Sequence, residues 1–137
     1  MAGFTNKQLS NQSGANSADV SLPASTTTTV FTTASLTTGV YLVTMSALVN
    51  SPTAGASVEL QARLGTAAGT LAGETAGQSV LGAANAYATV ALTFVVTVTT
   101  PGTLTLVANP SAAATAHYNT NVQTWTNCTS WSVVKIG

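Results

Sequence analysis

The stretch TTGVYLVTMSALVNSP, Thr37 to Pro52, decides the fold. Ten of its residues, Val40 to Val49, are apolar or small and none is charged. Gly39 and Pro52 bound the run, and β-branched residues stud it, which disfavours a helix. Ten residues are also too few to cross a bilayer as a helix. An extended strand has two faces here. Val40, Leu42, Thr44, Ser46 and Leu48 form one, and Tyr41, Val43, Met45, Ala47 and Val49 form the other. Neither face is charged, so the run reads as a central strand covered on both sides. One cover is the interior of a sandwich. The other is a second copy of the chain, or else a local loop or the N-terminal arm.

The segments around it have the same character. In SVELQARL, Val58, Leu60, Ala62 and Leu64 alternate with Glu59, Gln61 and Arg63, the pattern of a strand with one side buried. In YATVALTFVVTV, Val90, Leu92, Phe94, Val96 and Val98 share a face. In TLTLVAN, Leu104, Leu106 and Ala108 do the same. Gly, Pro and Asn turns punctuate these runs at NSPTAG, TTPG and Asn109–Pro110. GTAAGTLAGETAGQ (65–78) reads as a flexible connection, with a small strand starting at Ser79. GAANAY and SAAATAHY tolerate at most one helical turn. The expected fold is all-β: a sandwich of about eight to ten short antiparallel strands with essentially no helix. Residues 1–24 are expected to be a polar arm, with one short strand near Val20–Leu22. Residues 25–137 are expected to be the sandwich domain.

The chain has 137 residues, which fits one domain. Only 4% of them are charged, against an ordinary ~25%. The six are Lys7, Asp19, Glu59, Arg63, Glu74 and Lys135, and they cancel. No basic cluster exists to hold phosphates, which argues against nucleic acid, and no basic amphipathic helix exists to hold a membrane. A neutral surface also lacks the repulsion that keeps copies apart.

Chemistry has little to work with. Catalytic, cofactor and metal residues are all expected to be none. His117 and Cys128 are each the single residue of their type, and the sequence places no carboxylate near them. Glu59 and Arg63 share the outer face of one strand but stand ~13 Å apart, too far to pair directly. The Gly-rich 65–77 stretch lacks the Lys of a phosphate loop. The start MAGFTNKQLSNQSG has no apolar core of a secretion signal, so synthesis in a cytoplasm without a signal peptide is expected.

The order of LTTGVYLVTMSALV, SVELQARLGT, ATVALTFVVTVTTPGTLTLVAN and TSWSVVKIG resembles the small jelly-roll domains of tumour necrosis factor-like topology, found in complement-type globular heads and in bacteriophage virion proteins. Gly39, Tyr41, Val43, the Pro101–Gly102 turn, Trp131, Lys135 and Ile136 carry the similarity, which covers about residues 26 to 137. The near-uncharged Thr/Ala/Gly texture is closer to the phage proteins. The resemblance implies a jelly roll, with an immunoglobulin-like sandwich as runner-up. It also implies a non-enzymatic structural virion protein. A homotrimeric capsid decoration or head-fibre protein is expected, binding itself and a major capsid or other virion protein. The trimer interface is expected to use Tyr41, Val43, Met45, Ala47 and Val49. The alternative is a module that binds carbohydrate or a host surface, such as a tail-fibre tip, with Tyr118 and Trp125 as contacts.

Overall fold

The computed structural model describes residues 11–118 and 128–137, and within residues 74–79 only the backbone and Gly77. Ten strands and no helix occur among the described residues. They are β1 (Asn11–Ala15), β2 (Val20–Leu22), β3 (Thr28–Thr32), β4 (Gly39–Asn50), β5 (Ser57–Leu64), β6 (Leu71–Val80), β7 (Tyr87–Val98), β8 (Leu104–Pro110), β9 (Ala114–His117) and β10 (Ser130–Lys135).

The pairing is nested. β1 pairs with β10, β2 with β9, β3 with β8, β4 with β7 and β5 with β6, all antiparallel. The chain is thus one long hairpin, with its tip at the β5–β6 turn. Rolling that hairpin adds the contacts of β4 with β10 and β9, and of β5 with β8. Two sheets result. The first holds β1, β10, β4, β9, β2 and β7, and the second runs β3-β8-β5-β6. This is a jelly-roll β-sandwich, and the five-fold nesting excludes the Greek-key strand order of an immunoglobulin domain.

The hydrophobic periods set which side faces in. Val58, Leu60 and Ala62 of β5 are buried against Val90, Leu92, Phe94, Val96 and Val98 of β7 and the inner row of β4. Leu104, Leu106 and Ala108 of β8 complete the interior. Burying each large aliphatic contributes about 1.5–3 kcal/mol, so this continuous core stabilises the sandwich without a disulfide.

Two segments differ from the sequence reading. The division at residue 24 does not separate an arm from the sheet. Val20–Leu22 is a strand as expected, but Asn11–Ala15 is one too, locked in register against β10. β1 can lie there because residue 14 is glycine. A Cβ on Gly14 would sit 2.7 Å from the Trp131 indole. The supposed flexible connection at 65–78 contains most of β6. Its small residues are a packing requirement: a Cβ on Gly77 would come within 2.9 Å of Val90 Cγ1 and 3.0 Å of Leu92 Cδ2. Gly73 sits 3.3 Å from the Phe94 ring by the same measure, at a φ of 82° that favours glycine.

Candidate assembly surface and the polar clasp at its margin

β4 is the central strand of the first sheet. β7 lies along one edge for its full length, and β10 and β9 share the other. Its backbone groups are therefore paired, and what it offers a neighbour is side chains. The inner row is Tyr41, Val43, Met45, Ala47 and Val49. These are 3% exposed for Tyr41 and 0% for the other four, covered by the chain's own second sheet. The expected trimer interface on these five residues is thus corrected: they are the core of one molecule and out of reach of another. Tyr41 is also tied in place, its hydroxyl donating to Thr37 O at 2.9 Å.

The opposite row, Val40, Leu42, Thr44, Ser46 and Leu48, faces outward. Register extends it across neighbouring strands. Val95, Leu42 and Val134 form one apolar row, with Thr93, Thr44 and Ser132 next, then Ala91, Ser46 and Ser130. Leu42 is 40% exposed and Val95 54%. Ile136, also exposed, follows Val134 on the same side and donates its backbone N–H to Val40 O. No charged residue stands in these rows. Lys135, the nearest cation among the described residues, turns back along Tyr41, 5.8 Å from its ring centroid, and donates to Thr38 O at 2.8 Å. These rows present an uncharged mixture of hydroxyl and aliphatic side chains.

At one end of this sheet lies a polar clasp. His117 closes β9 and is 5% exposed. Its Nδ1 is 3.0 Å from Asp19 Oδ2, and its Nε2 is 2.8 Å from Asn50 Oδ1 at the end of β4. Asp19 Oδ1 also accepts the Tyr118 N–H at 3.0 Å. The Tyr87 ring meets the imidazole edge-on, with centroids 5.2 Å apart. Thr129 donates to His117 O at 2.6 Å and accepts from Leu48 N–H at 3.2 Å. Folding thus supplies the carboxylate that the sequence did not place near His117, from 98 residues away. Both ring nitrogens are engaged, so the imidazole ties β2, β4 and β9 together and offers no open nitrogen to a substrate.

The remaining sequence candidates separate. Tyr118 is half-buried beside the clasp, and Trp125 lies outside the described residues. Trp131 is half-buried on the inner side, over Gly14. Among the described residues no cluster of three or more His, Cys, Asp or Glu exists that could hold a metal ion. Sequence reasoning missed Leu42, Val95 and half-buried Val134 as the outward apolar row. The available signal was Thr44 and Ser46, two hydroxyls that mark the wetter face of β4.

No family model and no curated protein matches the chain. Solved structures do. The VP2 subviral particle of infectious bursal disease virus superposes with a TM-score of 0.57 at 13% identity over 98% of this chain. Structures of the Gx and Gt strains of the same virus give 0.54 and 0.53, at 14% and 13% identity, again over 98%. The chain spans only about 40% of the length of those proteins. At such identity the likeness shows the fold: a jelly-roll β-sandwich shared with proteins of a virus.

Proposed function

We propose that this chain is a non-enzymatic structural protein of a virus particle, and specifically of a bacteriophage. In this reading it works as a homotrimer that decorates the capsid or forms a head fibre, and its partners are itself and a major capsid or other virion protein. The observation that carries the reading is the set of uncharged β7–β4–β10 rows on the outer face of the first sheet, on a fold whose likeness extends to VP2 in a subviral particle.

The physical case is one of area and charge. β4 and β7 each run 12 residues, roughly 40 Å at about 3.4 Å per residue. With β10, β1, β9 and β2 alongside at about 4.8 Å spacing, the face offers on the order of 600 Å². A specific interface buries about 800 Å² per partner, so this face supplies most of one. Across the β7–β4–β10 rows a second copy meets no charge that must be desolvated, Asp19 standing apart at the β2–β9 end and tied to His117, and the Val95–Leu42–Val134 row gives an apolar centre with a hydroxyl surround. Cyclic packing of three such faces is the arrangement proposed.

Mass spectrometry of purified particles tests the virion role. The chain is expected in fixed stoichiometry with the shell protein, and its absence from clean particles overturns the role. The host-surface alternative, with Tyr118 and Trp125 as glycan contacts, is tested by Trp125→Ala in a cell-binding assay. Unchanged binding excludes those contacts.

A further inference from the structure

The outer face of the second sheet carries a groove that the assembly surface leaves unused. β5 places Ser57, Glu59, Gln61 and Arg63 along it at every second residue. Two shallow depressions meet there and share Glu59 and Asn109. One, of about 160 Å³, is lined by Thr27, Glu59, Gln61, Arg63, Val107 and Asn109. The other, of about 210 Å³, adds Ser25, Ser57 and Ser111.

The long side chains are ordered within the fold. Arg63 donates from Nη1 to Gly69 O at 3.1 Å and from Nη2 to Gln61 Oε1. Gln61 in turn donates from Nε2 to Glu59 Oε1 at 2.8 Å. Gln61 therefore bridges the gap between Glu59 and Arg63 that is too wide for direct pairing. Three flexible side chains are held before any ligand arrives, which lowers the entropic cost of binding. The second carboxylate oxygen of Glu59 and the exposed Asn109 amide make no hydrogen bond among the described residues, and Arg63 Nε is buried without a partner there.

The chemistry of the lining selects its ligand. An anion meets Glu59 at the centre, and each terminal guanidinium nitrogen of Arg63 already donates one N–H within the fold. A divalent cation finds one carboxylate where several oxygens are needed. An apolar ligand finds little surface, because Val107 is only 2% exposed. A neutral polyhydroxy compound fits. Each sugar hydroxyl both donates and accepts, and the groove offers a carboxylate acceptor, an amide with both functions and several hydroxyls. We propose that this groove is a binding subsite for a neutral saccharide, with Glu59 and Asn109 as its ligands and Gln61 and Arg63 as positioning residues. It lies on the sheet opposite the assembly face, so it stands or falls independently of the virion role.

The test is amide chemical-shift mapping of the full chain with glucose, galactose and N-acetylglucosamine as neutral probes and sialic acid as the acidic one. Without an aromatic platform, dissociation constants on the order of millimolar are expected. The neutral sugars should shift residues 57–63 and 107–111 saturably, and sialic acid should bind at least roughly tenfold more weakly. Asn109→Ala and Glu59→Gln should each weaken binding roughly five- to tenfold, the size expected for one lost hydrogen-bonding group. Both positions are at least partly exposed, so the unfolding midpoint should stay unchanged. No saturable shift with any neutral sugar, shifts confined to other residues, equal affinity for sialic acid, or unaltered binding in both variants overturns the proposal.

Discussion

Breaking the clasp should release the N-terminal strands, and its cost follows from its partners. Asp19→Ala removes two acceptors, one for the His117 ring and one for the Tyr118 N–H. The Asp19 side chain is 39% exposed, so the charge in the pair is discounted for solvent. Two hydrogen bonds at about 1 kcal/mol each give a loss of about 2 kcal/mol. His117→Ala removes the bonds to Asp19 and Asn50 and the edge contact with Tyr87, from a side chain that is nearly dry, for about 3 kcal/mol. The two changes share one bond, so the double variant should lose about 1 kcal/mol less than their sum. Urea unfolding followed by tryptophan fluorescence measures all four proteins, at one protein concentration because assembly would shift the midpoint. A coupling energy within about 0.3 kcal/mol of zero means that Asp19 and His117 do not act together, and refutes the clasp.

The other predictions concern packing and face. Gly77→Val forces branched carbons into Val90 and Leu92 and should cost about 1–3 kcal/mol by overpacking; a midpoint equal to the parent's contradicts the close approach of β6 to β7. Met45→Ala should cost about 2–5 kcal/mol in thermal or chemical unfolding, because the side chain is fully buried within one molecule. A loss well under 1 kcal/mol would instead place Met45 at a surface. Leu42→Glu should leave the far-ultraviolet circular dichroism unchanged while lowering the oligomer fraction, since its side chain is 40% exposed. Unfolding by Leu42→Glu would show that the outer row belongs to the core.

Much of the fold was legible because period and punctuation agree. Val58, Leu60 and Ala62 in β5 alternate against Glu59, Gln61 and Arg63, Val90 through Val98 in β7 alternate against a row of threonines broken by Ala91 and Val95, and both inner rows lie where that alternation puts them. β4 was recognisable as central because both of its rows are uncharged. That same property hid which row faces in, and the answer depends on the placement of the second sheet. β6 read as a loop because Gly73 and Gly77 weaken strand propensity, yet they are there to let two strands pack closely. The clasp was invisible because Asp19 and His117 are 98 residues apart and meet only when β2 pairs with β9. The Glu59–Gln61–Arg63 relay needed only neighbours on one strand face. Spacing gave the distance between its ends, and the bridging amide between them was overlooked.

Sedimentation equilibrium of the chain beside its Leu42→Glu and Val95→Glu variants tests the central claim most directly. The proposed assembly predicts a parent species of three times the 13.6 kDa chain mass, and folded monomers for both variants. A parent that stays monomeric at micromolar concentration, or variants that remain trimeric, would contradict the proposal that the outer face of β4 and β7 joins copies of this protein.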